Sequence, residues 1–133
     1  MTYEDFVGLV QHRAQLASIG EAVHAIHATL QTLGERLYGG EADDLASQLP
    51  REIGTYLQDA QLRENLSLRE FYQRVALREE LEYPDAVYHA KAVISVLLDA
   101  VSPGEIADMR AQLPAEFNDI FHWEGPGGEM RAA

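Results

Sequence analysis

Apolar residues recur at intervals of three and four along most of the chain, which is the spacing of one face of an α-helix. The two longest stripes lie at corresponding places in the two halves of the sequence. Val23, Ile26, Leu30, Leu33 and Leu37 form the first stripe, and Val87, Ala90, Ile94, Leu97 and Val101 form the second. The pattern predicts an all-α fold with two long central helices that pack against each other.

Hydroxyl residues that stand three positions before an acid mark where helices begin. Such pairs resemble a capping box, in which each side chain bonds the backbone N–H of the other residue. Such pairs include Thr2 with Asp5, Ser18 with Glu21, and Ser67 with Glu70. They predict helix starts near these residues, and Pro84 predicts the start of the second long helix. The first helix of each half is expected to end near Leu16 or Leu81.

Proline residues divide the end of each half into two further helices. Ser102-Pro103 is a strong start signal for a third helix, and the first half has Tyr38-Gly39 in its place. Pro50 and Pro114 cannot continue the third helices unkinked, but proline suits the first turn of another helix. We therefore expect each half to end in a short fourth helix after its proline.

The two halves also match in sequence. Residues 40–52, GEADDLASQLPRE, align with residues 104–116, GEIADMRAQLPAE, at an offset of 64. Four positions of the first helices match with one residue of slippage: Phe6, Val10, Arg13 and Leu16 correspond to Phe71, Val75, Arg78 and Leu81. An internal repeat of this length predicts duplicated structural units. We predict two tandem repeats of a three-to-four-helix unit, packed into one compact helical domain.

The repeat sets the expected boundaries. The first unit covers residues 1–57, a linker covers 58–66, and the second unit covers 67–121. Gly34 corresponds to Leu98, so a close crossing of the two central helices is expected there. Residues 122–133 show no apolar period and are expected to form a mobile C-terminal tail, in which Trp123 is the one residue able to dock.

These motifs resemble a known bacterial family. YEDFVGLV, GEADDLASQLP, LREFYQRV and GEIADMRAQLP, which span residues 3–121, are similar to segments of the domain of unknown function 2267 family. The resemblance implies an all-helical tandem-repeat protein of the bacterial cytoplasm with no established activity, and it implies no catalytic residues. The chain departs from the family pattern at residues 38–40, where the usual loop resembles the Ser-Pro-Gly of residues 102–104.

Charge and composition narrow the class of partner. The net charge is −12, lysine occurs once, and cysteine is absent. Nucleic acid and anionic membranes repel an acidic chain, so neither is expected as a partner. The N-terminus carries acids rather than the basic residues of a signal peptide, and no apolar run is long enough to cross a bilayer. A soluble cytoplasmic protein is the expectation.

The histidines are the first candidates for a metal site. Glu21 and His24 form a Glu-x-x-His pair like those of di-iron helical bundles, and His27 follows one turn later. A di-metal site needs a second pair, but the second unit has Asp85 and Tyr88 at the matching positions. The preferred interpretation is that these histidines are helix-surface residues without a metal. A metal or small ligand bound by Glu21, His24 and His27 is the alternative.

The acids of the third helices have a structural explanation. Glu41, Asp43, Asp44, Glu105 and Asp108 lie in early helical turns, where the helix dipole favours negative charge, and their spacing is not that of a calcium loop. The serines that precede helices are explained as caps, and no Gly-x-Ser-x-Gly motif is present. We therefore expect neither enzyme activity nor a cofactor.

Arg13 and Arg78 are the charged residues that occupy identical places in both first helices. Each lies within an apolar stripe, so its guanidinium needs a partner at the edge of the core. We predict structural ion pairs of Arg13 with Asp44 and of Arg78 with Asp108, each within one unit, with the glutamates of the same third helices as alternatives. An anionic ligand is the functional alternative.

The leading hypothesis for function is a non-enzymatic protein-interaction module. No chemical motif is visible, and duplicated helical units commonly share a concave face. The groove between the two units is the expected surface for an unidentified protein partner.

Overall fold

The protein is described by a computed structural model over residues 1–60 and 63–127, and the regular secondary structure of those residues is all helical. The elements are α1 (Tyr3–Arg13), α2 (Ile19–Arg36), α3 (Glu41–Ala46), α4 (Arg51–Gln58), α5 (Leu68–Glu79), α6 (Tyr83–Ala100), α7 (Pro103–Ala111) and a 3₁₀ helix (Ala115–Phe121). The all-α prediction is confirmed for this part of the chain. None of these helices combines the length and the apolar character needed to cross a bilayer. We call α1–α4 the first half and α5 to the 3₁₀ helix the second half.

Capping boxes begin α1, α2 and α5, as predicted. At α1, the Asp5 N–H donates to the Thr2 hydroxyl at 3.0 Å, and the Thr2 N–H donates to the Asp5 carboxylate at 3.1 Å. Caps of this kind contribute about 1 kcal/mol each. These helix starts are therefore set by residues close together in sequence.

The chain reverses direction sharply after α1 and α5. The backbone enters the left-handed region at Gln15 (φ 56°) and Glu80 (φ 57°). The N–H groups of Leu16 and Leu81 then bond back to carbonyls five residues earlier, as in a Schellman motif. Both helices therefore end two or three residues before the leucines at which they were expected to end.

The central helices α2 and α6 contact each other, as predicted. The first helices α1 and α5 each pack against both of them, α4 packs on α2, and the 3₁₀ helix packs on α6. Fully buried side chains come from both halves: Phe6, Ile26, Leu30, Leu57, Phe71, Ile94, Leu97 and Phe117. The two halves therefore share one core.

Gly34 permits a close crossing, but of α2 with α4 rather than with α6. A Cβ at this position would overlap the backbone carbonyl oxygen of Leu57 in α4. The expectation that this glycine meets α6 is wrong, because residues 32–36 of α2 are buried all around the helix and the closest neighbour at Gly34 is α4.

The third and fourth elements differ between the halves. Gly40 precedes α3 with φ 85° and offers no side-chain cap, whereas the Ser102 hydroxyl caps α7. The uncapped α3 has six residues and α7 has nine. After Pro50 the predicted short α-helix forms, while after Pro114 the chain forms a 3₁₀ helix.

The start of the C-terminal segment lies against the body. The Trp123 ring lies 5.2 Å from the Tyr88 ring, and its indole N–H donates to the Pro126 carbonyl at 2.9 Å. A Cβ on Gly127 would lie 2.8 Å from Arg13 Nε, so the chain passes close to that arginine. Residues 128–133 of the predicted tail, and residues 61 and 62 of the predicted linker, lie outside the described residues. The unit boundaries and the mobility of the tail stay predictions.

The crossing at Gly34 is tested by a matched pair of substitutions. We expect Gly34→Ala to lower the free energy of unfolding by about 1–3 kcal/mol, because the added methyl overpacks the α2–α4 contact. Gly8→Ala in α1 is the control: no atom lies within 4 Å of its added Cβ. This substitution should raise stability by about 0.5–1 kcal/mol. Urea denaturation measures both, and equal effects would contradict the crossing.

Candidate functional site

Arg13 forms an ion pair with the opposite half of the molecule. Its Nη2 lies 2.6 Å from Asp99 Oδ2, and its Nη1 donates to Ser95 Oγ at 3.0 Å. Both partners lie on α6. The predicted pairing with Asp44 is wrong, because α1 packs directly on α6 while Asp44 is exposed on α3.

Arg78 makes the reciprocal contacts with α2. Its Nη2 lies 2.7 Å from Glu35 Oε2, and its Nη1 donates to Thr32 Oγ1 at 2.9 Å. The predicted partner, Asp108, is exposed on α7, so this pairing is also wrong. Glu35 and Asp99 are 64 positions apart, the offset of the repeat. That recurrence was visible in the sequence, but Asp44 and Asp108 recur at the same offset, so it did not single out these two acids.

The backbone carbonyl groups of the same two arginines also contact side chains of the opposite half. His24 Nε2 lies 3.1 Å from the Arg78 carbonyl oxygen, and the Tyr88 hydroxyl donates to the Arg13 carbonyl at 3.1 Å. His24 and Tyr88 are again 64 positions apart. Each arginine is therefore held by the opposite half through both its side chain and its backbone.

Glu35 of α2 is almost fully buried at its contact with α5. Its carboxylate, 1% exposed, accepts from Arg78 through Oε2 and from Arg74 through Oε1, the latter at 3.2 Å. Arg74 also pairs with Glu64 at 3.0 Å. Two guanidinium groups thus compensate the burial of this carboxylate, and removal of one partner would leave buried charge poorly paired.

A cleft lies where the turns after α1 and α5 meet the central helices. It has a volume of about 230 Å³ and is lined by Leu16, Glu21 and His24 from the first half and by Glu79, Leu81 and His89 from the second. We call it the inter-half cleft. Its lining includes two of the sequence candidates, Glu21 and His24, and adds a second acid and a second imidazole.

Glu79 and His89 form a hydrogen-bonded pair in this cleft. Glu79 Oε2 lies 2.7 Å from His89 Nδ1, while Glu79 Oε1 is buried and has no hydrogen-bond partner among the described residues. The hydrogen bond to Glu79 raises the pKa of His89, although burial opposes this. A carboxylate-bound imidazole can exchange a proton at its other nitrogen. The lining residues of the cleft include no hydroxyl or thiol that could act as a nucleophile.

Sequence reasoning missed the Glu79–His89 pair. The two residues are ten positions apart, on either side of the turn between α5 and α6. No fixed spacing marks such a pair, because the turn rather than a helical period brings the side chains together.

Glu21, His24 and His27 do not converge on one point. The Glu21 carboxylate accepts the Ser18 N–H at 3.0 Å as part of the α2 cap. His24 lies in the inter-half cleft, and the His27 ring stacks on Tyr56 with 4.5 Å between centroids. These three residues therefore do not surround one position for an ion, and binding of a small ligand through them stays a prediction. Within residues 1–60 and 63–127, the three potential ligands that lie close enough to share an ion are on α3 and α7.

An apolar groove runs along α5. It has a volume of about 490 Å³ and is lined by Arg69, Gln73, Ala76, Leu77, Glu80, Leu81 and Tyr83. We call it the α5 groove. Leu77 is 79% exposed, which core packing does not explain. Leu81 also lines the inter-half cleft, so the two concavities adjoin.

The first half has a corresponding groove along α1. Its lining residues Gly8, Gln11, His12, Gln15 and Leu16 lie 65 positions before five residues of the α5 groove. Pro126 of the C-terminal segment completes the α1 groove, whereas no described residue outside positions 69–83 lines the α5 groove. The two grooves therefore differ in the residues that line them and in polarity, with His12 in place of Leu77.

One protein family accounts for nearly the whole chain. The model of the family described as uncharacterized conserved protein (DUF2267) matches residues 3–120, and the chain therefore belongs to this family, as its motifs indicated. No curated protein matches the sequence.

The exchanged ion pair is tested by a double-mutant cycle on Arg78 and Glu35. We expect Glu35→Gln to lower stability by about 2–4 kcal/mol, because it leaves the arginines without their buried acid. Combined with Arg78→Met, it should show a coupling of about 1 kcal/mol or more. The control cycle combines Arg78→Met with Asp108→Asn and should be additive. Coupling in the control cycle but not with Glu35 would restore the pairing predicted from sequence.

The Glu79–His89 pair predicts a pH dependence of stability. The folded-state pKa of His89 is raised above its unfolded value, so the stabilisation is complete below about pH 6.5 and is lost as pH rises through the folded-state pKa. We expect His89→Gln to cost about 1–3 kcal/mol at pH 5.5 and less at pH 9. Urea denaturation at both pH values checks this, with the exposed His12→Gln as control. A cost for His89→Gln that does not change with pH would contradict the charged pair.

Proposed function

We propose that this DUF2267 protein is a non-enzymatic interaction module made of two tandem repeats. In this proposal the repeats are related by a pseudo-two-fold rotation, and the α5 groove binds a non-helical segment of a different protein. The observation that carries it is Leu77, an exposed leucine in a groove whose counterpart in the first half is lined in part by the chain's own Pro126.

Reciprocal contacts at a constant offset support the repeat. Gln48 Oε1 accepts the Ser102 N–H at 2.7 Å, and Gln112 Oε1 accepts the Tyr38 N–H at 3.0 Å. The two donors, Tyr38 and Ser102, are 64 positions apart in the sequence, and so are the two acceptors, Gln48 and Gln112. A pseudo-two-fold rotation is the simple operation that exchanges the halves and maps each contact onto the other.

The lining of the two grooves supports a non-helical segment as the occupant. The α1 groove is lined in part by Pro126, which lies in a turn of the C-terminal segment. The α5 groove has the same backbone framework, since both helices end in the same left-handed turn. A non-helical segment of a partner can therefore pack there in the same way, and Leu77 and Leu81 would contact an apolar side chain of that segment.

Charge indicates the flanking chemistry of the partner. Arg69 and Glu80 both line the α5 groove, so the acidic character comes from Glu21 and Glu79 of the adjoining cleft and from the net charge of −12. A segment with an apolar residue beside lysine or arginine would be attracted, whereas nucleic acid and an anionic membrane would be repelled. A cytoplasmic protein partner is therefore part of the proposal. We assign the Glu79–His89 pair a structural role, since it joins α5 to α6.

Site-specific photocrosslinking tests the α5 groove. The photoreactive residue p-benzoylphenylalanine is placed at position 77 of the full chain in its native host, with position 12, the corresponding site of the α1 groove, as control. Leu77 is exposed, so we expect the replacement to leave the melting temperature within about 2 °C of wild type. We expect an adduct with a different polypeptide from position 77 but not from position 12.

The second substitution Leu81→Glu should abolish that adduct, because it places a charge on the apolar wall of the groove. An adduct with the mass of two copies of this chain would mean self-association and would contradict the proposal. So would equal adducts from positions 77 and 12, or none from either.

A further inference from the structure

Two acidic segments that lie 64 residues apart in sequence meet where α3 contacts α7. Glu41 is the first residue of α3, and Glu105 lies in the first turn of α7. One carboxylate oxygen from each of Glu41, Glu105 and Asp108 lies within 4.8 Å of the other two. Stabilisation of each helix by acids in its first turns accounts for the two segments separately. It does not account for the close approach of their carboxylates.

Two oxygens of this cluster are buried without a hydrogen-bond donor. Glu41 is only 6% exposed, and its Oε2 has no partner among the described residues. Glu105 Oε2 is buried and unpartnered in the same way. Within residues 1–60 and 63–127, the ion pairs of Lys, Arg and His all involve other acids.

Among the described residues, no cationic side chain forms an ion pair with this cluster. Burial, followed by a side-chain hydrogen bond with the Glu105 carboxyl, raises the pKa of Glu41 to about 8, and the negative charges of Glu105, Asp44 and Asp108 add to the rise. The positive ends of α3 and α7 offset part of this charge, but a helix dipole contributes less than the cost of burying an unpaired carboxylate. Either a proton or a cation must complete the site.

We propose that Glu41, Glu105 and Asp108 together bind a hard divalent cation, with Ca²⁺ favoured over Mg²⁺. Carboxylate oxygens are the ligands that such ions take, and Ca²⁺ accepts six to eight of them in a flexible geometry at about 2.3–2.6 Å. Mg²⁺ requires a tighter octahedron of oxygens. Asp108 is exposed, so water can complete the coordination.

A cation also engages more of the cluster than a proton does. One shared proton joins Glu41 to Glu105 but leaves Asp108 without a role and the cluster negatively charged. A divalent cation contacts all three carboxylates and neutralises two charges. Because α3 belongs to the first half and α7 to the second, the bound ion would join the two halves. Neither half alone supplies all three ligands.

Calorimetric titration of the full chain tests this site. Chelator-treated wild-type protein is titrated with CaCl₂ and, separately, with MgCl₂ at pH 7.5. We expect one Ca²⁺ per chain, weaker binding of Mg²⁺, and a melting temperature that rises with Ca²⁺. Glu41→Gln should weaken Ca²⁺ binding about tenfold or more, because it removes the most buried ligand.

Glu4→Gln is the matched control, since it removes the same charge from the first turn of α1 and should change the affinity by less than about twofold. If Glu41→Gln does not fold, Asp108→Asn, at an exposed position, supplies the ligand test and should also weaken binding about tenfold. Absence of both heat and thermal stabilisation in wild type up to about 10 mM Ca²⁺ would overturn the proposal and assign the cluster to a shared proton. Equal binding by wild type and the ligand variant would overturn it as well.

Discussion

Arg13 and Arg78 each extend from the first helix of one half to the central helix of the other. Each guanidinium donates to one hydroxyl and one carboxylate there, through Ser95 and Asp99 in one case and Thr32 and Glu35 in the other. Partly buried charges bind such partners more tightly than exposed ones do, and they are costly when left unpaired. This exchange requires α1 to lie on α6 and α5 to lie on α2, so it fixes the relative position of the two halves.

The concave and acidic surfaces follow from that arrangement. Because α1 and α5 each contact both central helices, the turns that end them approach each other and form the inter-half cleft. The α1 and α5 grooves run along the same helices. Pro126 lines the α1 groove, whereas no described residue of the C-terminal segment lines the α5 groove. At another junction of the halves, α3 meets α7 and brings Glu41 to Glu105. Interaction with a partner and binding of a cation would thus use separate surfaces of one framework.

Local features of the fold were predictable from sequence, and partners across the molecule were not. The capping boxes at Thr2, Ser18 and Ser67 depend on residues three positions apart, and all three form. A partner for Arg13 was expected within its own unit because the sequence pattern predicts repeated units but not an exchange of contacts between their first helices. Gly34 was assigned to the wrong neighbour for a related reason: a helix buried all around gives no periodic signal for which element crosses it. The Glu79–His89 pair forms because a turn brings the two side chains together, so no regular spacing in the sequence marks it.

We expect the exchanged arginines to make the two halves one cooperative structure. Native-state hydrogen exchange measures this directly, because it reports the opening free energy of each helix as denaturant is raised. We expect the slowest amides of α2 and α6 to exchange with the same free energy, equal to that of global unfolding. Exchange of α5, α6 and α7 through a separate opening of lower free energy, while α1 to α4 remain protected, would contradict the account.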